Sequence, residues 1–153
     1  MLDEKDQQLL RLLQTDSKKT TRQLAQELNL SATAVFERIR KLEKRKIIEK
    51  YVALVDKDLL QKSFIVLCHV KLVQHRKEYI AQFEQEITRF PAVLECFHVS
   101  GDYDYILKIC VRDIAAYREF MVSKLTSLQH IASTQSSFMI KEVKNSTVIE
   151  PGN

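Results

Sequence analysis

The feature that most constrains this chain is residues 20–46, whose pattern predicts two short helices joined by a tight turn. Thr20 followed three residues later by Gln23 is the pattern of a capping box, which starts the first helix. Asn29 tolerates the left-handed conformation that ends a helix, and Ser31 is a suitable N-cap for the next one. Together these signals predict a helix-turn-helix.

The second helix of the pair has one apolar and one charged side. At about 100° per residue, Val35, Ile39 and Leu42 fall together on a narrow stripe. The other side carries Thr33, Glu37, Arg40, Lys41 and Lys44, with Ala34 and Arg38 on its flank. Such a helix suits the major groove of DNA, where Arg and Lys contact phosphates or guanine edges while Thr and Glu read bases.

The charge distribution favours nucleic acid over the simpler interpretation of a solvated helix face. Residues 38–50 contain seven Lys or Arg against two Glu. Residues 1–62 carry 14 basic and 10 acidic side chains, whereas residues 63–153 carry 10 of each. The whole excess of positive charge therefore lies in the half that contains the motif, as in DNA-binding domains.

Composition narrows the class of protein further. With 45% hydrophobic and 29% charged residues, the chain is expected to fold as a globular protein. No apolar run approaches the ~20 residues that span a bilayer, and the acidic start is unlike a signal peptide. We therefore expect a cytoplasmic location and no membrane partner. Cys68, Cys96 and Cys110 lie in apolar strand-like runs without metal-ligand spacing, which predicts buried reduced thiols and no metal site.

The segments around the motif complete an N-terminal domain. Asp3 is placed to cap a first helix that packs against the helix pair. Residues 47–55 are β-branched and aromatic, which predicts a strand or wing. A polar connection follows, so we expect a winged helix-turn-helix domain at residues 1–60 and a second domain at residues 61–153.

The second half predicts elements in the order βαββαβ. They are a strand at residues 63–73, a helix at 76–90, strands at 93–99 and 103–111, a helix at 113–128 and a strand at 133–143. Only Ser100, Gly101 and Asp102 separate the middle strands, which is hairpin spacing. The expected fold class is α+β, with a ferredoxin-like βαββαβ domain after the helix-turn-helix.

The strand patterns also bear on assembly. Two helices cover one face of a four-stranded sheet, but Ile65, Leu67, Ile106 and Cys110 belong to the other face. The same face of a second copy would cover these apolar groups, which predicts a twofold homodimer. A dimer also sets two recognition helices at the fixed spacing that palindromic sites require.

The basic helix-turn-helix, the hairpin sequence VSGDYDYILKICV and the closing sequence STQSSFMIKEVK, in this order, resemble the Lrp/AsnC family of transcription regulators. The resemblance covers essentially the whole chain. It implies a DNA-reading helix-turn-helix and a second (RAM) domain that dimerises and often builds octamers as tetramers of dimers. It also implies a small effector, usually an amino acid, bound between dimers near the Gly-Asp hairpin, and no other cofactor.

The resemblance also implies the residues of two sites. The matching DNA-binding positions are Ser31, Thr33, Ala34, Glu37, Arg38, Arg40 and Lys41, and the charged face adds Lys44. The matching effector positions are Ser100, Gly101, Asp102, Tyr103 and Asp104, with Thr134 and Ser136 from the last strand. Asp102 or Asp104 would bind an ammonium group, while hydroxyl or N–H donors would bind a carboxylate. A plain hairpin turn with solvated acids has the same composition, and the effector's side chain is left open.

The chain departs from the family at three positions where glycine is usual. These are Asn29 in the turn, Lys46 at the end of the recognition helix and Gln61 in the connection. None of these replacements removes a binding group.

Three functions fit these observations, in decreasing order of preference. The first is a sequence-specific DNA-binding regulator that responds to an amino acid or related metabolite. The second is an effector-independent DNA-binding or architectural protein. The third is an enzyme of the haem-precursor decarboxylase type, with His69, His75, His98 and His130 as candidate acids or bases. These histidines show no nucleophile–base pattern, and the basic helix argues against an enzyme.

Overall fold

The computed structural model describes residues 2–151, which form two compact units. The first contains residues 2–54 together with residues 143–151, and the second is Val55–Glu142. The domains expected from the sequence are residues 1–60 and 61–153, so residues 143–151 are expected in the second half and lie instead with the first unit. The expected domain boundary near residue 60 stays a prediction. Within the described residues, no helix is both long and apolar enough to cross a membrane.

Three helices form the first unit: α1 (Glu4–Thr15), α2 (Thr21–Leu28) and α3 (Ala32–Lys44). The predicted caps are confirmed, since the N–H of Asp6 donates to Asp3, that of Gln23 to Thr20 and that of Ala34 to Ser31. In return, the Oε1 of Gln23 accepts the N–H of Thr20 at 2.8 Å, which completes the capping box. Asn29 ends α2 in the left-handed conformation, with φ of 52°.

The core of the first unit is the meeting point of all three helices. Its buried residues are Leu9, Leu10, Leu13, Leu24, Ala25, Leu28, Val35 and Leu42. Helix α3 contributes only Val35 and Leu42 to this buried set, with Ile39 partly buried beside them. Because the stripe is narrow, most of the surface of α3 is left for other contacts.

The C-terminal segment of the chain contacts α1 within the same unit. The Nε of Arg11 lies 2.7 Å from the Oε2 of Glu150. The side-chain amide of Gln14 donates to the carbonyl oxygen of Ile149 at 2.9 Å and accepts from the N–H of Ile149 at 2.7 Å. These two reciprocal bonds fix the backbone of the segment along α1.

The strand or wing expected at residues 47–55 is wrong. The described chain gives these residues no strand partner. The N–H groups of Ile47 and Ile48 instead donate to the carbonyl oxygen of Leu42, closing the end of α3. A β-branched, aromatic composition makes a strand only where a neighbouring strand supplies backbone partners. The first unit is therefore a helix-turn-helix without a wing.

The second unit has the predicted βαββαβ order. Its elements are β1 (Phe64–Leu72), α4 (Lys77–Ile87), β2 (Val93–His98), β3 (Tyr105–Val111), α5 (Ile114–Phe120) and β4 (Ile131–Phe138). All strand pairs are antiparallel, and the order across the sheet is β2-β3-β1-β4. This order is that of the ferredoxin-like fold, so the predicted fold class is confirmed for this unit.

One face of the sheet is covered by helices and forms the main core. The buried residues are Val66, Cys68, Val70, Leu72, Phe83, Ile87, Tyr105, Leu107, Ile109, Val111, Tyr117, Phe120 and Leu125. On the opposite face, Leu67 is 37% exposed and Phe97 on β2 is 50% exposed, whereas Ile65 is only 4% exposed. The face identified from the sequence as lacking helices is therefore partly apolar and open.

The last helix and the last strand end several residues earlier than predicted. The α-helical part of α5 stops at Phe120 and continues as one π-helical turn, Met121–Leu125. There the hydroxyls of Ser123 and Thr126 donate to backbone carbonyls, which competes with regular helix bonding. Strand β4 ends at Phe138 rather than at residue 143. Phe138 pairs with Val66, and the N–H of Met139 makes one more backbone bond, to the carbonyl oxygen of Ile65 at 3.1 Å.

Candidate nucleic-acid interface and ligand site

The outward face of α3 brings together five of the predicted DNA-binding residues. Thr33, Glu37, Arg40, Lys41 and Lys44 are all exposed. The last four line one shallow, open depression. Among residues 2–151, no carboxylate forms an ion pair with Arg40, Lys41 or Lys44. The positive charge of this face is therefore available to an external anion.

Sequence reasoning missed one residue of this face. The ring of Phe36 is 50% exposed, and the Arg40 guanidinium carbon lies 5.8 Å from its centroid. The signal was its spacing, since Phe36 is three residues after Thr33 and four before Arg40. The apolar stripe predicted from the sequence consists of Val35, Ile39 and Leu42 and does not include Phe36.

The start of α3 uses two other predicted residues for folding. The Ser31 hydroxyl accepts the N–H of Ala34 at 3.1 Å as the helix N-cap. Ala34 itself is half-buried. Both lie at the N-terminal end of α3, where recognition helices approach base edges.

Arg38 is separated from the other predicted DNA-binding residues. Its Nη1 forms ion pairs with Asp3 Oδ2 at 2.6 Å and with Asp6 Oδ1. Asp6 is only 2% exposed. The Arg38 hydrogen bond, followed by that of the Asp6 N–H, holds the pKa of Asp3 below its usual value. Arg38 therefore ties α3 to the start of α1, and the DNA contact expected for it stays a prediction.

The predicted effector residues begin in the turn between β2 and β3. Ser100, Gly101 and Asp102 are exposed. Gly101 has φ of 128°, a conformation that side-chain-bearing residues rarely adopt, which explains a glycine here. The loop is longer than the expected three residues, because β2 ends at His98 and β3 begins at Tyr105.

Asp104 is a structural carboxylate rather than a free one. Its Oδ2 accepts the N–H of Leu72 at 2.7 Å, and its Oδ1 lies 2.6 Å from His75 Nε2. Burial raises the pKa of Asp104, but the bonds from Leu72 and His75 outweigh it, so the pKa lies below its usual value. The carboxylate therefore binds this loop to the end of β1, and its expected role as an ammonium partner stays a prediction.

The remaining effector residues lie on opposite faces of the sheet. Tyr103 donates its hydroxyl to Gln135 Oε1 at 2.7 Å on the open face. Thr134 and Ser136 pair in register with the buried Val70 and Cys68, so they face the helices. Ser136 bonds to the Tyr117 hydroxyl, and burial, the largest influence, raises the pKa of Tyr117 to about 12. The seven residues therefore do not form a single cluster within one chain.

The cysteines and histidines of the described chain occupy separate environments. All three cysteines are free; Cys68 is buried and the other two are half-buried. Residues 2–151 hold no group of three His, Cys, Asp or Glu that could bind a metal ion. The histidines pair with different partners: His69 with Tyr103, His75 with Asp104, His98 with Tyr105 and His130 with Tyr79.

Comparisons with known proteins bear on both units. Residues 2–43 match the AsnC-type helix-turn-helix domain, and residues 65–149 match the Lrp/AsnC ligand binding domain. The chain is 37% identical to the Bkd operon transcriptional regulator of Pseudomonas aeruginosa over 142 residues, covering 93% of each protein. It is 33% identical to the leucine-responsive regulatory protein of Escherichia coli K12 over 145 residues, covering 95% of this chain and 88% of that protein.

A solved structure extends the likeness to the whole fold. A transcriptional regulator from Neisseria meningitidis, determined as a complex with L-Met, superposes with a TM-score of 0.93 at 28% sequence identity. The match covers 97% of this chain and 96% of the other.

Proposed function

The chain belongs to the Lrp/AsnC family of transcriptional regulators, and we propose that it binds specific DNA sequences through α3 and responds to an amino acid. A regulator of this kind acts where the chromosome is, so we place it in the cytoplasm. The function is thus gene regulation rather than catalysis.

The observation that carries this proposal is the uncompensated positive face of α3. Arg40, Lys41 and Lys44 lie on one side of a helix whose other side packs in the three-helix core. Core packing fixes the direction in which these cations point, and duplex phosphates are the dense anions that such a surface attracts. Thr33 and Glu37 on the same face supply groups that hydrogen-bond to base edges.

The experiment removes two of these cations. We expect the double variant Arg40→Ala/Lys41→Ala to bind selected duplexes more weakly, with the slope of log affinity against log salt shallower by about 2 per bound subunit. A matched control is Lys77→Ala/Arg89→Ala, which removes the same charge from exposed positions of the second unit. Mobility-shift titrations from 50 to 300 mM salt would refute the proposal if the two variants behaved alike.

For the effector we propose an amino acid with an apolar side chain, bound near the β2–β3 turn. The support is a relative named leucine-responsive, a neighbouring structure that contains L-Met, and the exposed carboxylate of Asp102. Since Asp104 is engaged elsewhere, Asp102 is the better partner for an ammonium group. Tyr103 and the N–H groups around Gly101 are further candidates for the ligand contact.

Thermal unfolding tests the effector directly. A ligand that binds only the folded protein stabilises it by about 2.7 kcal/mol at 100 times its Kd. We expect leucine or methionine to raise Tm among the twenty amino acids, and Asp102→Asn to abolish the rise while leaving Tm without ligand unchanged. If none of the twenty amino acids raised Tm, the effector-independent regulator would be favoured.

We also propose that the chain acts as a homodimer and assembles further as the family resemblance implies. Its support is apolar surface that one chain leaves open: Leu67 and Phe97 on the sheet, and Val52, Leu54, Val55, Leu59 and Leu60 in the connection between the two units. Sedimentation velocity on the wild type and on Phe97→Glu measures the assembly. A monomeric wild type would contradict this proposal without touching the DNA-binding one.

A further inference from the structure

Phe36 is an apolar residue of α3 that does not pack in the core. Val35 and Leu42 are fully buried and Ile39 is partly buried, but Phe36 is 50% exposed. A single exposed apolar side chain is common and needs no explanation on its own. Whether the exposed ring of Phe36 has a function depends on the residues around it.

Phe36 lies on the same surface as the unpaired cations. Thr33 and Arg40 are its neighbours three and four residues away on the helix. The Arg40 guanidinium carbon, 5.8 Å from the ring centroid, is within the range of a cation–π contact. This contact holds the ring against the charged face, so any duplex that approaches Arg40 also meets Phe36.

The floor of the major groove limits what a phenyl ring can contact there. Each base pair presents hydrogen-bond donors and acceptors, and the apolar group among them is the C5-methyl of thymine. Placing the ring over unmethylated edges would desolvate polar groups without giving them partners. Phe36 is also in the N-terminal half of α3, the part of a recognition helix that contacts base edges.

We propose that Phe36 reads a pyrimidine C5-methyl group, that of thymine, and so sets part of the sequence preference of the regulator. This inference rests on the proposed DNA-binding function of α3. The ring packs on the methyl group while Arg40, held beside it, reaches an adjacent phosphate or guanine edge. Phe36 is then a specificity-determining residue, whereas Lys41 and Lys44 act mainly on affinity for any duplex.

The test begins with the full-length protein selecting its site from a random duplex library. Each thymine of that site is then replaced in turn by deoxyuridine, which removes only the methyl group. We expect one such replacement in a half-site to weaken wild-type binding about fourfold, the effect of burying one methyl group. Phe36→Ala should bind the thymine and uracil duplexes equally, and Phe36→Leu should keep part of the difference.

A second arm separates the methyl group from the rest of the base. Where cytosine replaces the contacted thymine, methylating that cytosine at C5 should recover about fourfold for the wild type and nothing for Phe36→Ala. Circular dichroism checks that both variants fold. If Phe36→Ala does not fold, the test is whether Phe36→Leu shows a smaller thymine–uracil difference than the wild type.

Three outcomes would overturn the inference. One is equal wild-type affinity for every thymine and uracil pair, and another is an unchanged difference in Phe36→Ala. The third is a change in the sedimentation of Phe36→Ala without DNA, which would place the ring in a contact between copies. Failure of the wild type to select any sequence would instead refute the proposed function.

Discussion

Arg38 and Arg40 stand two positions apart on α3, and removing their charges should have opposite consequences. Arg38→Met leaves the buried carboxylate of Asp6 without its cation. We expect this variant to lose stability, and to lose DNA affinity only as far as it unfolds. Arg40→Met removes an exposed cation, so we expect its stability to stay within about 0.5 kcal/mol of wild type while its DNA affinity falls.

The size of the Arg38 effect follows from the burial of its partners. Removing one member of a fully buried ion pair costs roughly 3–5 kcal/mol, because the remaining charge is uncompensated. The side chain of Arg38 is 27% exposed and that of Asp3 is 53% exposed, so solvent screens part of the interaction. About 2 kcal/mol remains. In a unit this small, the corresponding fall in Tm is on the order of 10 °C.

Far-UV circular dichroism during urea and thermal unfolding measures stability, and fluorescence anisotropy with a labelled duplex measures binding. Adding Asp6→Asn to Arg38→Met should restore part of the lost stability, because no buried charge then remains. The assignment of Arg38 to folding would be wrong if Arg38→Met unfolded like the wild type and yet lost DNA affinity as Arg40→Met does.

Three further substitutions test the second unit. The bonds from Leu72 and His75 outweigh burial and keep the pKa of Asp104 low, so its contribution to stability is present above about pH 4 and is lost as pH falls through that depressed pKa. Asp104→Asn should therefore cost about 1 kcal/mol at pH 7 and progressively less as the pH falls below about 4, as urea unfolding across this range would show. Ser136→Ala should lower stability by about 1 kcal/mol, because the Tyr117 hydroxyl loses its partner, and calorimetry should find effector affinity unchanged. Gln61→Gly should raise stability by about 1 kcal/mol in urea unfolding, because Gln61 has φ of 53°.

The features predicted correctly from the sequence are those decided by neighbouring residues. Helix caps depend on groups two or three positions apart, so the caps at Asp3, Thr20 and Ser31 are readable. The positions where this chain lacks a glycine that is usual in the family are also decided by local backbone conformation. Lys46 and Gln61 both have positive φ, 57° and 53°, so the backbone keeps the conformation that glycine would adopt and the side chain bears the strain.

The features that sequence reasoning missed depend on partners far along the chain. Asp104 meets Leu72 across 32 positions, and no spacing rule links a turn carboxylate to the end of another strand. Residues 47–55 have the composition of a strand, but no segment of the described chain pairs with them. A strand-like composition means that the side chains suit a pleated, half-buried surface. Only the tertiary structure or a second copy of the chain can supply that surface.

The number of Lys and Arg residues in the helix-turn-helix overestimates the positive charge that is available to DNA. Residues 38–50 include seven cations, but the structure assigns Arg38 to Asp3 and Asp6 at the start of the chain. A cation already neutralised by two carboxylates releases few counterions when a duplex binds, so it adds little to the salt dependence. The charge that matters for binding is what remains after pairing within the fold. Single alanine substitutions should therefore reduce the salt slope at Arg40, Lys41 and Lys44 by about 1 each per subunit. A reduction of that size at Arg38 would mean that DNA competes successfully with Asp3 and Asp6 for the guanidinium.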